Sequence, residues 1–453
     1  MKLLSSFKNS MFCQLYNLKD DHSTGRAMLL ISQMLYAVGN IFITGTFYTA
    51  FLMESGIDIV QVSILSIIPN ICWLFGLFAP KVFAKIKRRR GILLFTNLFY
   101  YTCMVLLPNL IPVFVADTGM RTVCFAVLLV VANVGNSIFA SGASAWHIHF
   151  LPEDDTRRSY HFSIMYMIFN VMGTVTAVGA SLATDAMADS GAQGTIITTL
   201  RYASFVLFVI NGLLTFLVPK EYPYERSTGD SVKLTDVLTI PFKNKKFILT
   251  ILIVFLWNGV GALTGGFWSY YLLDTVKISY LMTYITSIVA CIISLFFMKW
   301  WRMAIRHFGW VRVMWFNFLL TATAAFLDIF LTPSTVWIVP IAATISGINL
   351  CGAQLTTDNL FYLHMPKNVD TDVYMTFANS MIYIFVFLGT ALGTWLLALL
   401  ETPDGSPHRF LGLDWYAPQI VTAIKVVFFI GTLIYIWKVI PLLETVKLKR
   451  ETD

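Results

Sequence analysis

Residues Thr44–Glu54 read T-G-T-F-Y-T-A-F-L-M-E, and Thr264–Asp274 read T-G-G-F-W-S-Y-Y-L-L-D. The two stretches lie 220 positions apart. They agree in the opening Thr-Gly, the Phe at the fourth place, an aromatic at the fifth (Tyr48, Trp268) and the closing acid. Further along, Lys81 opens a basic run that ends at Arg90 before Gly91; Lys299, Arg302, Arg306 and His307 precede Gly309, 218 positions on. Pro152 and Tyr160 return after 214 positions as Pro366 and Tyr374, each pair eight residues apart. Three matches in the same order, with separations drifting by only six, mark a duplicated unit.

The medium of that unit follows from composition. Of the 453 residues 57% are hydrophobic and 13% charged, with a mean hydropathy of +0.71. A soluble domain carries about 25% charged residues, so lipid is the solvent for much of this chain. A bilayer-crossing helix takes ~20 mostly apolar residues. Hydropathy places twelve spans at about 27–52, 58–80, 91–115, 121–146, 160–185, 199–218, 246–272, 279–298, 311–331, 336–362, 373–400 and 416–440. Backbone groups in lipid must be satisfied internally, so these runs are expected as helices. The expected architecture is an all-α integral membrane protein with twelve transmembrane helices in two pseudo-symmetric six-helix halves. Its parts are an N-terminal segment 1–26, a first half 27–218, a polar linker 219–245, a second half 246–440 and a tail 441–453.

The charges agree with this layout. Of the 32 Lys and Arg residues, all but five fall on the side that holds both termini and the even-numbered loops. The exceptions are Arg121, Arg201, Lys277 and Arg409 on the other side and Lys425 inside span 12. The positive-inside rule then puts both termini in the cytoplasm of a multi-pass cell-membrane protein. The pI near 9.0 therefore reflects orientation rather than nucleic-acid binding. Six scattered cysteines form no disulfide or zinc pattern, and no metal or cofactor is expected. The first apolar run is too long for a signal-peptide core, so the N-terminal segment is expected to be retained.

On the twelve spans, the repeat and the basic loops after spans 2 and 8, the chain resembles the major facilitator superfamily over essentially its full length. Trp146, Pro152, Arg157 and Tyr160 add a W-x-x-x-x-x-P-x-x-x-x-R-x-x-Y pattern similar to one in many bacterial members. The chain departs from the family after span 2, where Pro80 replaces the usual Asp, and after span 8, where Met298 stands in that place. His149 takes a position that is often acidic. The resemblance implies a monomeric secondary transporter that works by alternating access. It also implies a small-molecule substrate, a central cavity lined by spans 1, 4, 7 and 10, and room for a coupling proton or sodium ion.

Periodicity independently gives those four spans polar or aromatic stripes. In span 1, Gln33, Tyr36, Asn40, Thr44 and Tyr48 recur every three or four residues, which is one helix face. Span 4 carries Asn133 and Asn136 among serines, span 7 Trp257, Asn258 and Trp268, and span 10 Asn349, Gln354 and Asp358. The competing role for such groups is to join helices, since small and amide side chains do that in membranes. No Lys or Arg lies deep in these four spans, which points to a neutral or weakly charged organic solute, sugar-like or amphiphilic. Efflux of a drug or other amphiphile on the same fold is the alternative. Asp358 and then Asp328 are the first coupling candidates, because an ionisable group inside a membrane is costly, and His147 and His149 at the end of span 4 complete the candidate coupling set.

Ser144–Tyr160, S-A-W-H-I-H-F-L-P-E-D-D-T-R-R-S-Y, has the look of a catalytic motif. A membrane acyltransferase using His149 and Asp154 is the rival class, but Pro152 lies between them and Leu363 stands at the repeat position of His149. A channel ranks below a carrier because no charged ring or filter-like repeat is present. The mechanical reading is a cytoplasmic gate. In it Glu153, Asp154 and Asp155 approach Lys81, Arg88, Arg89 and Arg90, with Arg157 beside them, while His147 and His149 could bias it by protonation. Replacing Glu153, Asp154 and Asp155 by lysine is expected to raise cytoplasmic labelling of an engineered cysteine in the cavity. Unchanged labelling and unchanged transport would remove the gate.

Overall fold

The computed structural model describes residues 11–83, 86, 88–152, 155–188, 190–222, 239–364, 371–402, 406–410 and 413–443. Ten of its helices are long and apolar enough to cross a membrane, and two bent pairs bring the spans to twelve. Span 1 is the bent pair Asp21–Asn40 and Gly45–Glu54, followed by Ile59–Gly76, Arg90–Phe114, Thr118–Ala140, Tyr160–Ala186 and Gln193–Leu217. Span 7 is Lys245–Ala262 and span 8 the bent pair Tyr280–Ser294 and Phe296–Phe308. Trp310–Asp328, Ile338–Thr357, Phe377–Leu400 and Ala417–Leu443 complete the set.

Caps set several of the helix starts. Asp20 accepts from the Ser23 N–H and Ser23 Oγ returns a bond to the Asp20 N–H, so span 1 begins at Asp21, earlier than hydropathy places it. Asp117 caps span 4 through the Met120 N–H (2.7 Å), and Asn244 caps span 7 through the Phe247 N–H (3.1 Å). Each of these carboxyl or amide oxygens satisfies a donor that the first helical turn leaves open. The helix carrying span 4 runs to Ile148 and the one carrying span 5 starts at Asp155. Most of the Ser144–Tyr160 stretch is therefore helical rather than an extended loop.

The irregularities cluster in spans 1, 3 and 7. Span 1 turns by 42° over residues 41–44, where Gly45 has a φ of +60° that a residue with a Cβ rarely adopts. Span 3 contains a π turn at Thr102–Leu106, and span 7 is interrupted at 263–267 and followed by a π turn at Tyr271–Thr275. Between spans 11 and 12 a two-stranded antiparallel hairpin pairs β1 (His408–Phe410) with β2 (Leu413–Trp415).

The chain forms two compact units, Met1–Asp58 with Cys72–Gly229, and Ile59–Ile71 with Asp230–Asp453. The first is packed around buried aromatics, including Trp146 with Phe150, Phe83 and Phe216. In the second, Phe247, Met314, Phe318, Phe377 and Phe429 are buried together. Large apolar side chains such as Phe296 and Trp437 are exposed, as a lipid-facing surface requires. Spans 7 and 11 of the second unit meet backbone to backbone, with Gly259 against the Phe385 carbonyl, Gly389 against Gly259 and Gly393 against the Leu263 carbonyl. A Cβ at Gly393 would run into that carbonyl oxygen. Gly393→Ala is therefore expected to lower the thermal stability of the purified protein by about 1–3 kcal/mol, the usual range for overpacking. An unchanged melting temperature would contradict this close approach.

Candidate functional site

In the first unit the span 1 stripe meets aromatic neighbours. Tyr36 stacks near Phe169 (6.0 Å between centroids) and lies 6.3 Å from Phe208. Phe208 in turn stacks face to face with Tyr101 at 3.8 Å, and Tyr100 lies 5.0 Å from Tyr101. The two span 3 tyrosines carry no stripe in the sequence, which is why pattern reading passes over them. Tyr48 sits farther along under a guanidinium, with Arg201 Cζ 5.5 Å from its ring centroid. Gln33, Asn40 and Asn136 are half-buried. Asn133 is buried and its amide donates to the Leu129 carbonyl (2.8 Å) and to Met104 Sδ (3.8 Å), so this group is engaged between spans 4 and 3.

In the second unit, Trp257 sets its ring edge-on to Phe318 at 5.0 Å, and the adjacent Asn258 donates to the Val254 carbonyl at 2.8 Å. Trp268 packs on Tyr271 (5.4 Å), whose hydroxyl donates to the Leu331 carbonyl at 2.6 Å. Asn349 is buried and its amide donates to Thr321 Oγ1 (2.6 Å), which ties span 10 to span 9; its Oδ1 is buried with no partner. Gln354 is exposed. The side chain of Asp358 lies outside the described residues. Asp328 is half-buried at the end of span 9, and its charge acts on Lys425 of span 12. Lys425 Nζ donates to Thr264 Oγ1 at 2.8 Å.

The cation that pattern reading assigns to an outer position, Arg201, is fully buried. It donates to Asn109 Oδ1 (2.8 Å), the Phe42 carbonyl (2.6 Å) and the Met104 carbonyl (3.1 Å), and lies 4.0 Å over the Phe51 ring. The signal was present, since Arg201 falls inside span 6, but charge counting by loops absorbed it.

At the other end of the first unit, Glu153 and Asp154 and the side chains of Lys81 and Asp155 lie outside the described residues. Arg88 and Arg157 are exposed. Arg89 packs over Phe83 (4.7 Å), and Arg90 donates to the Leu217 carbonyl while its N–H donates to Glu221 (3.0 Å). His147 is half-buried. His149 belongs to an aromatic stack that pattern reading did not anticipate. The Tyr222 ring lies 5.9 Å from His149 and 5.4 Å from His22, both in stacked orientation. His22 Nδ1 also donates to the His149 carbonyl at 2.9 Å. Arg26 donates to the carbonyls of Leu15 and Phe150, Tyr16 bonds His161 at 2.7 Å, and Lys220 pairs with Asp21 at 2.8 Å. Together these contacts tie the segment before span 1 to the ends of spans 4, 5 and 6. Among the described residues, no three His, Cys, Asp or Glu side chains gather as a metal site.

The model of a family described as Major Facilitator Superfamily matches residues 29–394. Similar solved structures include a mutant of the nucleoside transporter NupG, with 12% identity and a TM-score of 0.64 over 92% of this chain and 99% of that one. A bacterial homologue of the iron transporter ferroportin, inward-facing, has 12% identity and a TM-score of 0.65 over 91% and 98% of the two chains. A bacterial homologue of the human lysosomal transporter Spinster, inward-facing and unoccupied, has 14% identity and a TM-score of 0.63 over 94% and 98%. No curated protein matches the sequence. At these identities the likeness to solved structures is one of fold.

His149, in the turn after its helix, is held below the ordinary histidine range, first by burial and then by the charges of Arg89 and His22. A base with a depressed folded pKa binds protons more readily when unfolded. Its contribution to stability is therefore complete above the ordinary histidine pKa of about 6.5 and is lost progressively as pH falls from there through the lower folded value. Melting curves from about pH 8 to about pH 5.5 are expected to show a falling Tm at the acid end, and His149→Gln to flatten part of that fall. An identical slope in the variant would remove His149 as a contributor.

Proposed function

The chain belongs to the Major Facilitator Superfamily, and from that membership we propose that it carries a small neutral or weakly charged organic solute, sugar-like or amphiphilic, by alternating access. It is a multi-pass membrane transporter and not an enzyme. The observation that carries the substrate class is the chemistry of the stripes. Tyr36 with Phe169 and Phe208 in the first unit, and Trp257 in the second, offer aromatic rings, while the adjacent Asn258, like Asn133, already donates to its own helix. Ring faces suit the apolar faces of a sugar or a planar amphiphile, and a few polar groups orient it. Asn133 and Asn349 are weaker contact candidates, because their amides already bond within the bundle. Gln33, Asn40, Tyr48, Asn136, Trp268 and Gln354 remain in the proposed contact set.

The Lys and Arg distribution supports cytoplasmic termini in a cell membrane. Asp328 and Asp358 are the proposed coupling groups, and the protein is proposed to act as a monomer. Fold neighbours carry diverse cargo by name, among them nucleosides and iron, so a screen has to be broad. Thermal-shift measurements against sugars, nucleosides, amino acids and amphiphilic drugs are expected to give a stabilising ligand. Counterflow of that ligand in vesicles is expected to be accelerated by exchange, as a carrier requires. Tyr36→Ala and Trp257→Ala are each expected to weaken binding by about fivefold, in line with ~1 kcal/mol for an aromatic contact. Folded variants that bind with unchanged affinity would displace the site.

A further inference from the structure

Both units break their first helix, and both bring a cation from their sixth helix to the break. In the first unit the break is 41–44 in span 1 and the cation is Arg201 of span 6. In the second it is 263–267 in span 7 and the cation is Lys425 of span 12. Asn109 of span 3 bonds Arg201 in the first unit, and Asp328 of span 9 holds the position 219 residues after it. The pairs Thr44 and Thr264, Asn109 and Asp328, and Arg201 and Lys425 are separated by 220, 219 and 224 positions, close to the period of the repeat. The two clamps occupy similar places in the two halves, and their differences carry information.

A break in a membrane helix leaves carbonyls that no helical N–H reaches, and these need other donors. At the first break the turn bonds run to residues three positions back, from Phe42 to Gly39 and from Ile43 to Asn40, and the Phe42 carbonyl takes a guanidinium N–H. Arg201 supplies two further bonds, to Asn109 and to Met104 inside the π turn of span 3, and covers the Phe51 ring. This clamp is fully buried, and guanidinium geometry fixes all three contacts at once.

The second clamp is built from weaker parts. Lys425 makes one hydrogen bond, to the Thr264 hydroxyl rather than to the backbone, and its Nζ lies 5.9 Å from the Phe429 ring. Lys425 and Asp328 are both only half-buried, and a compact ammonium on a four-carbon stem holds no fixed orientation. The rest of the break is held by close packing, with Gly393 on the Leu263 carbonyl and Gly266 against the side chains of Ser63 and Ser66. Small residues at such contacts let the helices approach closely without a polar clamp.

We propose that Lys425 is a positioning residue for transport: its single bond to Thr264 holds the span 7 break as a releasable hinge, while Arg201 locks the corresponding break in span 1. The hinge asymmetry goes beyond the substrate reading above and is tested without a substrate. Hydrogen–deuterium exchange is followed by mass spectrometry on the purified full chain in detergent. In the unaltered protein, amides of 263–276 are expected to exchange at least about tenfold faster than those of 41–54. Lys425→Met is expected to raise exchange at 263–276 by a further ~tenfold and leave the remainder of the second unit unchanged. Asp328→Asn with Lys425→Arg copies the first unit's set and is expected to slow exchange at 263–276 toward the span 1 value.

A merely structural lysine predicts something else, a rise spread over the whole second unit, and that result overturns the proposal. Equal exchange at the two breaks, or no local change in Lys425→Met, overturns it as well. If Lys425→Met does not fold, Thr264→Val removes only the acceptor, and the same local rise or its absence decides.

Discussion

A peptide chain inside a bilayer has no water to turn to, so each carbonyl released by a helix break must find a donor within the protein. Spans 1 and 7 both break, and the architecture around them answers that demand. Arg201 reaches the Phe42 carbonyl from span 6, and Lys425 reaches Thr264 from span 12. The π turn of span 3 places the Met104 carbonyl where Arg201 also donates, and Gly393 brings span 11 onto the backbone of span 7. Arg201 thus serves the backbone directly, whereas Lys425 bonds a side-chain hydroxyl beside the second break.

The end of the first unit that carries the basic loops is organised by aromatic contact as well as by charge. Tyr222 stacks against His22 and His149, and Arg26 bridges the carbonyls of Leu15 and Phe150. The His-x-His pair at 147 and 149 has no metal-like neighbourhood among the described residues, and the ring of His149 is part of a stack. A surface ion pair such as Lys220 with Asp21 adds ~0–1 kcal/mol, so the stack and the carbonyl contacts hold this region more firmly.

Polar stripes on membrane helices divide into two uses that look alike in sequence. Asn133 and Asn349 direct their amides into the bundle, where they join spans 4 to 3 and 10 to 9. Tyr36 and Trp257 instead pack their rings among other rings, Tyr36 beside Phe169 and Phe208 and Trp257 edge-on to Phe318. A transporter needs both uses, since a cavity wall moves as a unit only if its helices are tied together behind it.

Much of the fold was legible because hydropathy, the run of basic residues and the 220-position repeat are all properties of local composition. Lipid makes composition decisive, since an apolar run of sufficient length has no stable state other than a helix across the membrane. Those properties pointed to the twelve spans and, through the family resemblance they support, to the transporter class; they did not show that Ile59–Ile71 of span 2 groups with the second unit. They did not determine where Arg201 lies, because counting charges along the chain cannot distinguish a loop arginine from one that turns inward to Asn109 and Phe42. Nor did they show that Tyr100 and Tyr101 join the Tyr36 surroundings, or that His22 and Tyr222 meet His149. Apart from the neighbouring Tyr100–Tyr101 pair, each of those contacts joins residues dozens to well over a hundred positions apart. A contact at that range depends on how helices pack, so only the tertiary structure decided it.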